Sequence, residues 1–420
     1  MKELHNFFKN KKVLILGFGL EGKSTLKLLE DLPCEIIIAD KNPEAVKNLS
    51  YEVCAGEDYL NAMYDYEVDI IMKSPGIPLL GEIPSQIKEK ITCQTDLFLR
   101  FSESKIVGIT GTKGKSTVSS LIYHILKNCG KSAELIGNIG VPPLEFFTKP
   151  NYQTSIAVSE LSCHQLEYVK ASPDIAIYLN LYEEHLDHYN SFADYRAAKE
   201  NIYLYQKSGD LLVHLDELTS EKLRTSKGEK LSISYAETFE NNVKTHLPGK
   251  HNQYNIAVAL AVCEYLGCDK KEALRAIESF TGLPHRLELA EIIKGVKYIN
   301  DSISTIPKAA VNAVLAFPET DTLIIGGLDR GINYSELIAF LEKNGIINVI
   351  ALPDSGHKIV DLIPGRPNIY RASNMQDAVN HAVKVTRQCC ILSPAAASYG
   401  FYKNFEERGN HFKELLKLYL

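Results

Sequence analysis

The chain has 420 residues, 45% of them hydrophobic and 23% charged, with a formal net charge of −6. A single core rarely grows to that length, so two or three domains are expected. The acidic balance argues against a general nucleic-acid binder, no apolar run approaches the roughly 20 residues of a membrane helix, and the polar, basic start leads straight into a strand, unlike a signal peptide.

Short β-branched runs predict buried strands at 13–17, 35–40, 69–73, 105–110, 155–160, 174–181, 210–215, 296–301, 322–326, 348–352 and 390–393. Helical periods lie between many of them, for example at 20–32, 116–128, 252–266, 271–280 and 333–343. This alternation predicts an α/β protein with mainly parallel sheets, whose ligands gather beyond the C-terminal ends of the strands. No low-complexity linker marks a boundary. A fresh strand-turn-helix start near Lys105 puts one boundary around residue 93, and the Gly282-Leu283-Pro284 break puts another there, dividing the chain into 1–92, 93–282 and 283–420. The nine cysteines are scattered, with no C-x-x-C pair, which predicts reduced, mostly buried thiols of a cytoplasmic protein.

The first strand runs into Gly17-Phe18-Gly19-Leu20-Glu21-Gly22, a G-x-G-x-x-G turn, and Asp40 closes the second strand where a dinucleotide fold has its ribose-binding acid. Such a turn can hold a nucleotide diphosphate that is not redox-active, or serve packing only. Lys73-Ser74-Pro75-Gly76-Ile77-Pro78 forms a rigid turn at the same rim.

The most telling stretch is Gly108-Ile109-Thr110-Gly111-Thr112-Lys113-Gly114-Lys115-Ser116-Thr117, between a strand and a helix. Backbone N–H groups of such a turn close around phosphate oxygens, and the helix N-terminus adds positive potential. Lys115 would reach the terminal phosphates and the Ser116 hydroxyl would meet Mg²⁺. The general P-loop has a glycine where this chain has Ile109. Further on, Glu160 and His185 close neighbouring strands, and beside a phosphate loop they suit Mg²⁺ held on a triphosphate. A solvated turn is the plainer alternative, and zinc lacks ligands at fixed spacing. Lys199, on a helix-favouring stretch, reads by itself as an ordinary surface lysine. Asn252 and Asn255 share a helical face and Arg286 follows a turn; they suit adenine and phosphates, although asparagines near a helix start are usually caps.

Together these segments resemble the Mur ligases, the ATP-dependent amino-acid ligases of peptidoglycan precursor synthesis, over essentially the whole chain. Thr110–Ser116 is similar to that family's ATP loop, including its departure from the general form. Leu392-Ser393-Pro394-Ala395-Ala396-Ala397-Ser398 and Lys403-Asn404-Phe405-Glu406-Glu407-Arg408-Gly409, with Ser74-Pro75-Gly76 and Gly137-Asn138-Ile139-Gly140, resemble the glutamate-adding members.

The resemblance implies a Rossmann-like N-terminal domain that binds UDP, a central P-loop ATPase-like domain and a C-terminal Rossmann-like domain for the amino acid. It implies that Leu20, Glu21, Asp40 and Ser74 contact the uridine and diphosphate, that Asn138 lies near the muramoyl group, and that Gly76, Ser162 and Gln165 are further substrate positions. ATP falls to Gly111, Thr112, Lys113, Gly114, Lys115, Ser116 and Thr117, with Asn252, Asn255, Arg286 and Asp301. Two Mg²⁺ are implied, held by Ser116, Glu160, His185 and a carbamylated Lys199; Lys115, Lys199 and His185 are the implied catalytic set. Thr305, Arg330, Ser398 and Phe405 match amino-acid-contacting positions. The implied partners are UDP-MurNAc-L-Ala, glutamate and ATP, with no nucleic acid and no membrane insertion, in a cytoplasmic monomer. Ile303 and Arg330 depart from the lysines usual in the D-glutamate members, so an L-glutamate acceptor is the first alternative and a non-catalytic nucleotide-binding relative the second. An NAD-dependent oxidoreductase would leave Gly111–Ser116 unexplained.

Overall fold

The computed structural model describes residues 1–182, 188–215, 226–234, 243–247, 251–343 and 345–420. It divides into two compact units, Met1–Val243 with His251–Ile277, and Lys244–Lys250 with Glu278–Leu420.

The first unit holds two parallel sheets. One is ordered β3-β2-β1-β4-β5, from β1 (Lys12–Leu16), β2 (Glu35–Asp40), β3 (Glu52–Ala55), β4 (Ile70–Lys73) and β5 (Ile91–Thr92). The other is ordered β11-β10-β9-β6-β8-β7, from β6 (Ile106–Thr110), β7 (Ala133–Gly137), β8 (Ile156–Glu160), β9 (Ile175–Tyr178), β10 (Leu211–Leu215) and β11 (Glu229–Ile233). Central strands such as β6 (IVGIT) and β9 (IAIY) are buried along their whole length, because helices cover both faces of a parallel sheet. Four helices of this unit position the site: α1 (Leu20–Leu29), α2 (Lys115–Asn128), α3 (Phe192–Leu204) and α4 (His251–Tyr265).

The second unit carries one sheet, β12-β13-β17-β14-β15-β16, from β12 (Glu288–Ile293), β13 (Val296–Asn300), β14 (Thr320–Gly327), β15 (Asn348–Asp354), β16 (Ile369–Arg371) and β17 (Cys389–Leu392). Only β12 runs antiparallel to its neighbour; the other pairings are parallel. Helix α5 (Phe405–Lys417) closes the chain, its N-terminus capped by Asn404, whose side chain accepts from Glu407 N.

Every strand expected from the sequence is present, with ends displaced by at most a few residues. The strands that were not expected, β3, β5, β7, β11, β12 and β16, are the two edges of each sheet.

Candidate active site

The turn between β1 and α1 is built by close approach. Gly17 has φ +92°, and a Cβ there would lie 2.6 Å from Ile77 Cδ1; a Cβ on Gly22 would lie 2.1 Å from Gly17 O. Only glycine at both positions lets the turn close against the 74–77 loop, where Ser74 Oγ donates to Gly17 O at 2.9 Å. Asp40 accepts the Phe18 N–H at 2.6 Å on one oxygen and the Asn42 N–H at 2.7 Å on the other, so the expected ribose acid also shapes the turn. Leu20 stands 74% exposed at this rim. Glu21 is partly buried. One of its oxygens accepts from Gln165 Nε2 at 3.2 Å and the other is buried with no hydrogen-bond partner. Burial pushes its carboxyl up to about 7, against the pull of the Gln165 hydrogen bond and of Lys73. Gln165 itself belongs to a capping box with Ser162, the N-cap of the short helix Cys163–Leu166. Lys73 is buried and pairs with Glu167 at 3.4 Å; burial draws its ammonium below the usual lysine range.

The second glycine turn, between β6 and α2, is held by different groups. Lys113 N donates to Asn180 Oδ1 at 2.8 Å, Asn180 Nδ2 donates back to Lys113 O at 3.0 Å, and Thr112 N donates to Asn180 O at 3.0 Å. Thr112 Oγ1 lies 2.9 Å from Tyr195 Oη of α3. Lys115 Nζ reaches back to Gly111 O at 2.9 Å and Thr112 O at 3.1 Å. A Cβ on Gly114, whose φ is +88°, would lie 2.7 Å from Asn255 Oδ1, so the loop and α4 abut. Ser116 and Thr117 open α2 and are partly buried.

Two plain readings of single residues are overturned here. Lys199 is not a surface lysine: it is 1% exposed, donates to Gly111 O at 2.9 Å and lies over the Tyr195 ring at 4.9 Å. Nor are Asn252 and Asn255 caps, since both lie inside α4, buried, with Asn255 Nδ2 donating to Asn252 Oδ1 at 2.8 Å.

At the end of β8, Glu160 is 1% exposed. Asn138 Nδ2 donates to its Oε1 at 2.8 Å, while Oε2 is buried with no hydrogen-bond partner. A buried carboxylate oxygen left open is costly unless a cation or water meets it, so Glu160 fits a divalent ion. His185 lies outside the described residues. Among the described residues no group of three or more His, Cys, Asp and Glu is arranged to hold a metal.

In the second unit, Arg408 of α5 is 1% exposed and ties two loops together. It donates to Ser302 Oγ at 3.0 Å, Ser302 O at 2.8 Å and Ala396 O at 3.0 Å, and burial draws its guanidinium down to about 10. Ser302 Oγ in turn donates to Phe405 O at 2.9 Å. These bonds bring together the segments carrying Thr305, Ser398 and Phe405. Arg330 is exposed, with one guanidinium nitrogen 3.5 Å from Thr305 O. Asp301 is buried, accepts from Ser304 Oγ at 2.5 Å, Ser393 Oγ at 2.8 Å and Leu287 N at 3.2 Å, and is pushed up to about 6 by burial. Arg286 is exposed on the turn before β12, and Ile303 N donates to His285 O at 3.1 Å. Asn180, Lys73 and Arg408 are the residues that motif reading did not single out: Lys73 and Arg408 lie within the 73–78 and 403–409 motifs and Asn180 near the end of the expected strand 174–181, and no spacing foretold the burial of the two cations or the loop-holding bonds of Asn180 and Arg408.

Residues 109–230 match the Mur ligase middle domain. The UDP-N-acetylmuramoylalanine–D-glutamate ligase of Bacillus cereus (strain AH187) is 32% identical over 444 residues, covering 96% of this chain and 97% of that protein. Among solved structures, the MurF ligase of Thermotoga maritima in complex with ADP aligns over 100% of both chains with a TM-score of 0.55 and 17% identity. The UDP-N-acetylmuramate–alanine ligase of the same organism covers 97% of this chain and 100% of its own, with a TM-score of 0.56 and 19% identity. At 32% identity over nearly the whole of both chains, and with residues 109–230 matching its middle domain, the chain belongs to the Mur ligase family.

Proposed function

We propose that this chain is an ATP-dependent ligase that joins glutamate to UDP-N-acetylmuramoyl-L-alanine through an acyl phosphate, in peptidoglycan precursor synthesis. The observation that carries the reading is the loop at 111–117, where Lys115 and the buried Lys199 both bond Gly111 O, just beyond the strand whose Ile109 is in register with Glu160 and its open oxygen. In the first step the alanyl carboxylate attacks the γ-phosphorus of ATP, ADP leaves, and an acyl phosphate forms. The glutamate amine then attacks the acyl carbon and phosphate is expelled. Lys115 swings from the loop carbonyls to the β,γ-phosphates and offsets the charge that a carboxylate meets on attacking a polyanion.

Mg²⁺, when bound, neutralises phosphate oxygens; Ser116, Glu160 and His185 would hold one ion. A second falls to Lys199 if its amine carries a carbamate, which turns a buried cation into a carboxylate. Asn252, Asn255, Arg286 and Asp301 receive the nucleotide in this reading. Leu20, Glu21, Asp40, Ser74 and Gly76 receive the uridine diphosphate, and Asn138, Ser162 and Gln165 the sugar and peptide. Residues 1–92, 93–282 and 283–420 then serve the UDP substrate, ATP and the amino acid, in a cytoplasmic monomer. No helix among the described residues is long and apolar enough to cross a membrane.

D-Glutamate is the proposed acceptor, with Arg330 gripping a carboxylate bidentately and Thr305, Ser398 and Phe405 around it. Ile303, apolar where a lysine was expected, favours L-glutamate as the second reading. Phosphate release with ATP, Mg²⁺ and UDP-MurNAc-L-Ala decides between them. Release dependent on D-glutamate is expected; release with L-glutamate alone reassigns the acceptor, and release with neither overturns the ligase. Loss of activity in Lys199→Ala with partial rescue by acetate is expected of the carbamate role, and full activity without rescue removes it.

A further inference from the structure

A buried ion pair joins the two sheets of the first unit, and none of the assigned sites uses it. Lys73 is the last residue of β4 and is 3% exposed; its Nζ lies 3.4 Å from Oε2 of Glu167, the residue that ends the short helix Cys163–Leu166 beyond β8. The Tyr168 ring packs against the same ammonium, its centroid 5.3 Å from Nζ, and His188 Nε2 lies 3.4 Å from the same Glu167 oxygen. Taking an ammonium and a carboxylate out of water often costs as much as their attraction returns, and an apolar pair of similar volume would hold two sheets together as well. The charges call for a reason other than stability.

The neighbours of the pair supply one. On one side, Lys73 Nζ also donates to Ser74 O at 3.4 Å, and Ser74 Oγ holds Gly17 O at the first glycine turn. On the other side, Asn201 of α3 donates to Leu166 O at 2.9 Å and to Glu167 O at 3.3 Å. The same helix carries Lys199, which donates to Gly111 O of the phosphate loop at 2.9 Å. A second strut crosses between the sheets beside the pair, from Gln165 Nε2 to Glu21 Oε1 at 3.2 Å. A chain of bonds therefore runs from one glycine turn to the other, and Lys73–Glu167 is its charged link across the gap between the sheets.

We propose that Lys73 and Glu167 are positioning residues of the ligase, their ion pair setting the separation at which the carboxylate of a substrate held at the first turn meets the γ-phosphorus of ATP held at the second. The inference rests on the roles given to the two turns under the proposed function. Neither residue touches substrate or nucleotide. The uridine diphosphate and the ATP each keep their own turn when the pair is broken, so each still binds. What is lost is the distance between them, and an error of about 1 Å in such a distance costs up to about a hundredfold in rate. Apolar contact is non-directional and lets two surfaces slide; an ammonium held to one carboxylate oxygen fixes the register.

The test compares Lys73→Met, Lys73→Arg and Glu167→Gln in the full chain. Phosphate release with ATP, Mg²⁺, UDP-MurNAc-L-Ala and the glutamate enantiomer that the wild type uses gives kcat. Calorimetric titrations with Mg·ATP and with UDP give the two affinities and the fraction of molecules competent to bind. In Lys73→Met, kcat per competent site should fall about tenfold while both affinities stay within about twofold. Lys73→Arg keeps the cation and should recover most of the loss; Glu167→Gln keeps an acceptor without the charge and should lose about as much as Lys73→Met. Lys105→Met breaks the exposed pair with Asp174 at the end of β6 away from the phosphate loop, and should change kcat by less than about twofold. An unchanged kcat per competent site in Lys73→Met or, should that variant not fold, in Glu167→Gln would overturn the proposal, as would weaker binding of UDP or ATP in proportion to the fall in kcat. A wild-type chain that releases no phosphate with either enantiomer removes the ligase reading and this proposal with it, whereas a failure confined to the variants leaves that reading standing.

Discussion

Two glycine turns stand at strand ends in the same unit, and they are held in opposite ways. At 17–22 the N–H of Phe18 is taken by a carboxylate, Asp40, with a second carboxyl, Glu21, partly buried beside it. At 111–117 the loop is clasped by a neutral amide, Asn180, and its carbonyls are met by two lysines, Lys115 and Lys199. On the proposed function, the carboxyls of the first turn would offer acceptors to the N–H and O–H groups of a base and sugar, and the second would release its cations to a polyphosphate. Glycine spacing alone makes the two look alike; the groups that satisfy the backbone tell them apart.

The sharpest way to break this comparison is charge removal at the second turn. Lys115→Ala should lower kcat/KM for ATP by about 10³-fold, seen in coupled ADP release, while Asp40→Asn leaves ATP binding within about twofold. Next comes the packing of the first turn. Gly22→Ala drives a methyl into Gly17 O and should cost about 3 kcal/mol in denaturant unfolding, whereas Gly19→Ala, with nothing within 4 Å, should stay within about 0.5 kcal/mol.

A smaller effect separates the turns by pH. Glu21 is raised to about 7 in the folded chain from an ordinary value of 4.5. The folded state therefore holds the extra proton in that window, and stability falls as pH climbs through it. Glu21→Gln should recover about 2 kcal/mol near pH 8 and flatten the slope. Asp301, raised to about 6, leaves a residual fall of the same sign. Thermal melts from about pH 4 to 8 would show both. Smallest of all, Asn180→Ala leaves the Lys113 N–H unclasped and should cost about 1 kcal/mol and raise KM for ATP several-fold.

The sequence announced the centre of each sheet and missed its borders. Strands such as β1, β6 and β17 are buried on both faces and so read as unbroken apolar runs. Edge strands have one neighbour and a wet side: β11 is Glu-Lys-Leu-Ser-Ile and largely exposed, and β12 mixes Glu291 with Ile292. β5 is only two residues long. The phosphate loop was legible because its backbone needs glycine at fixed positions. Lys199 was not, since nothing local says that α3 turns that position onto Gly111 O instead of toward solvent. Arg408 stayed hidden for the same reason; its partners Ser302 and Ala396 are distant in sequence and only the fold gathers them.

The most direct test of the division between the turns is calorimetric titration of Lys115→Ala and Asp40→Asn with Mg·ATP and, separately, with UDP-MurNAc-L-Ala. Lys115→Ala should lose ATP and keep the UDP substrate, and Asp40→Asn should do the reverse. If either substitution weakens both ligands alike, or if Asp40→Asn weakens ATP more than the UDP substrate, the assignment of the two turns is wrong.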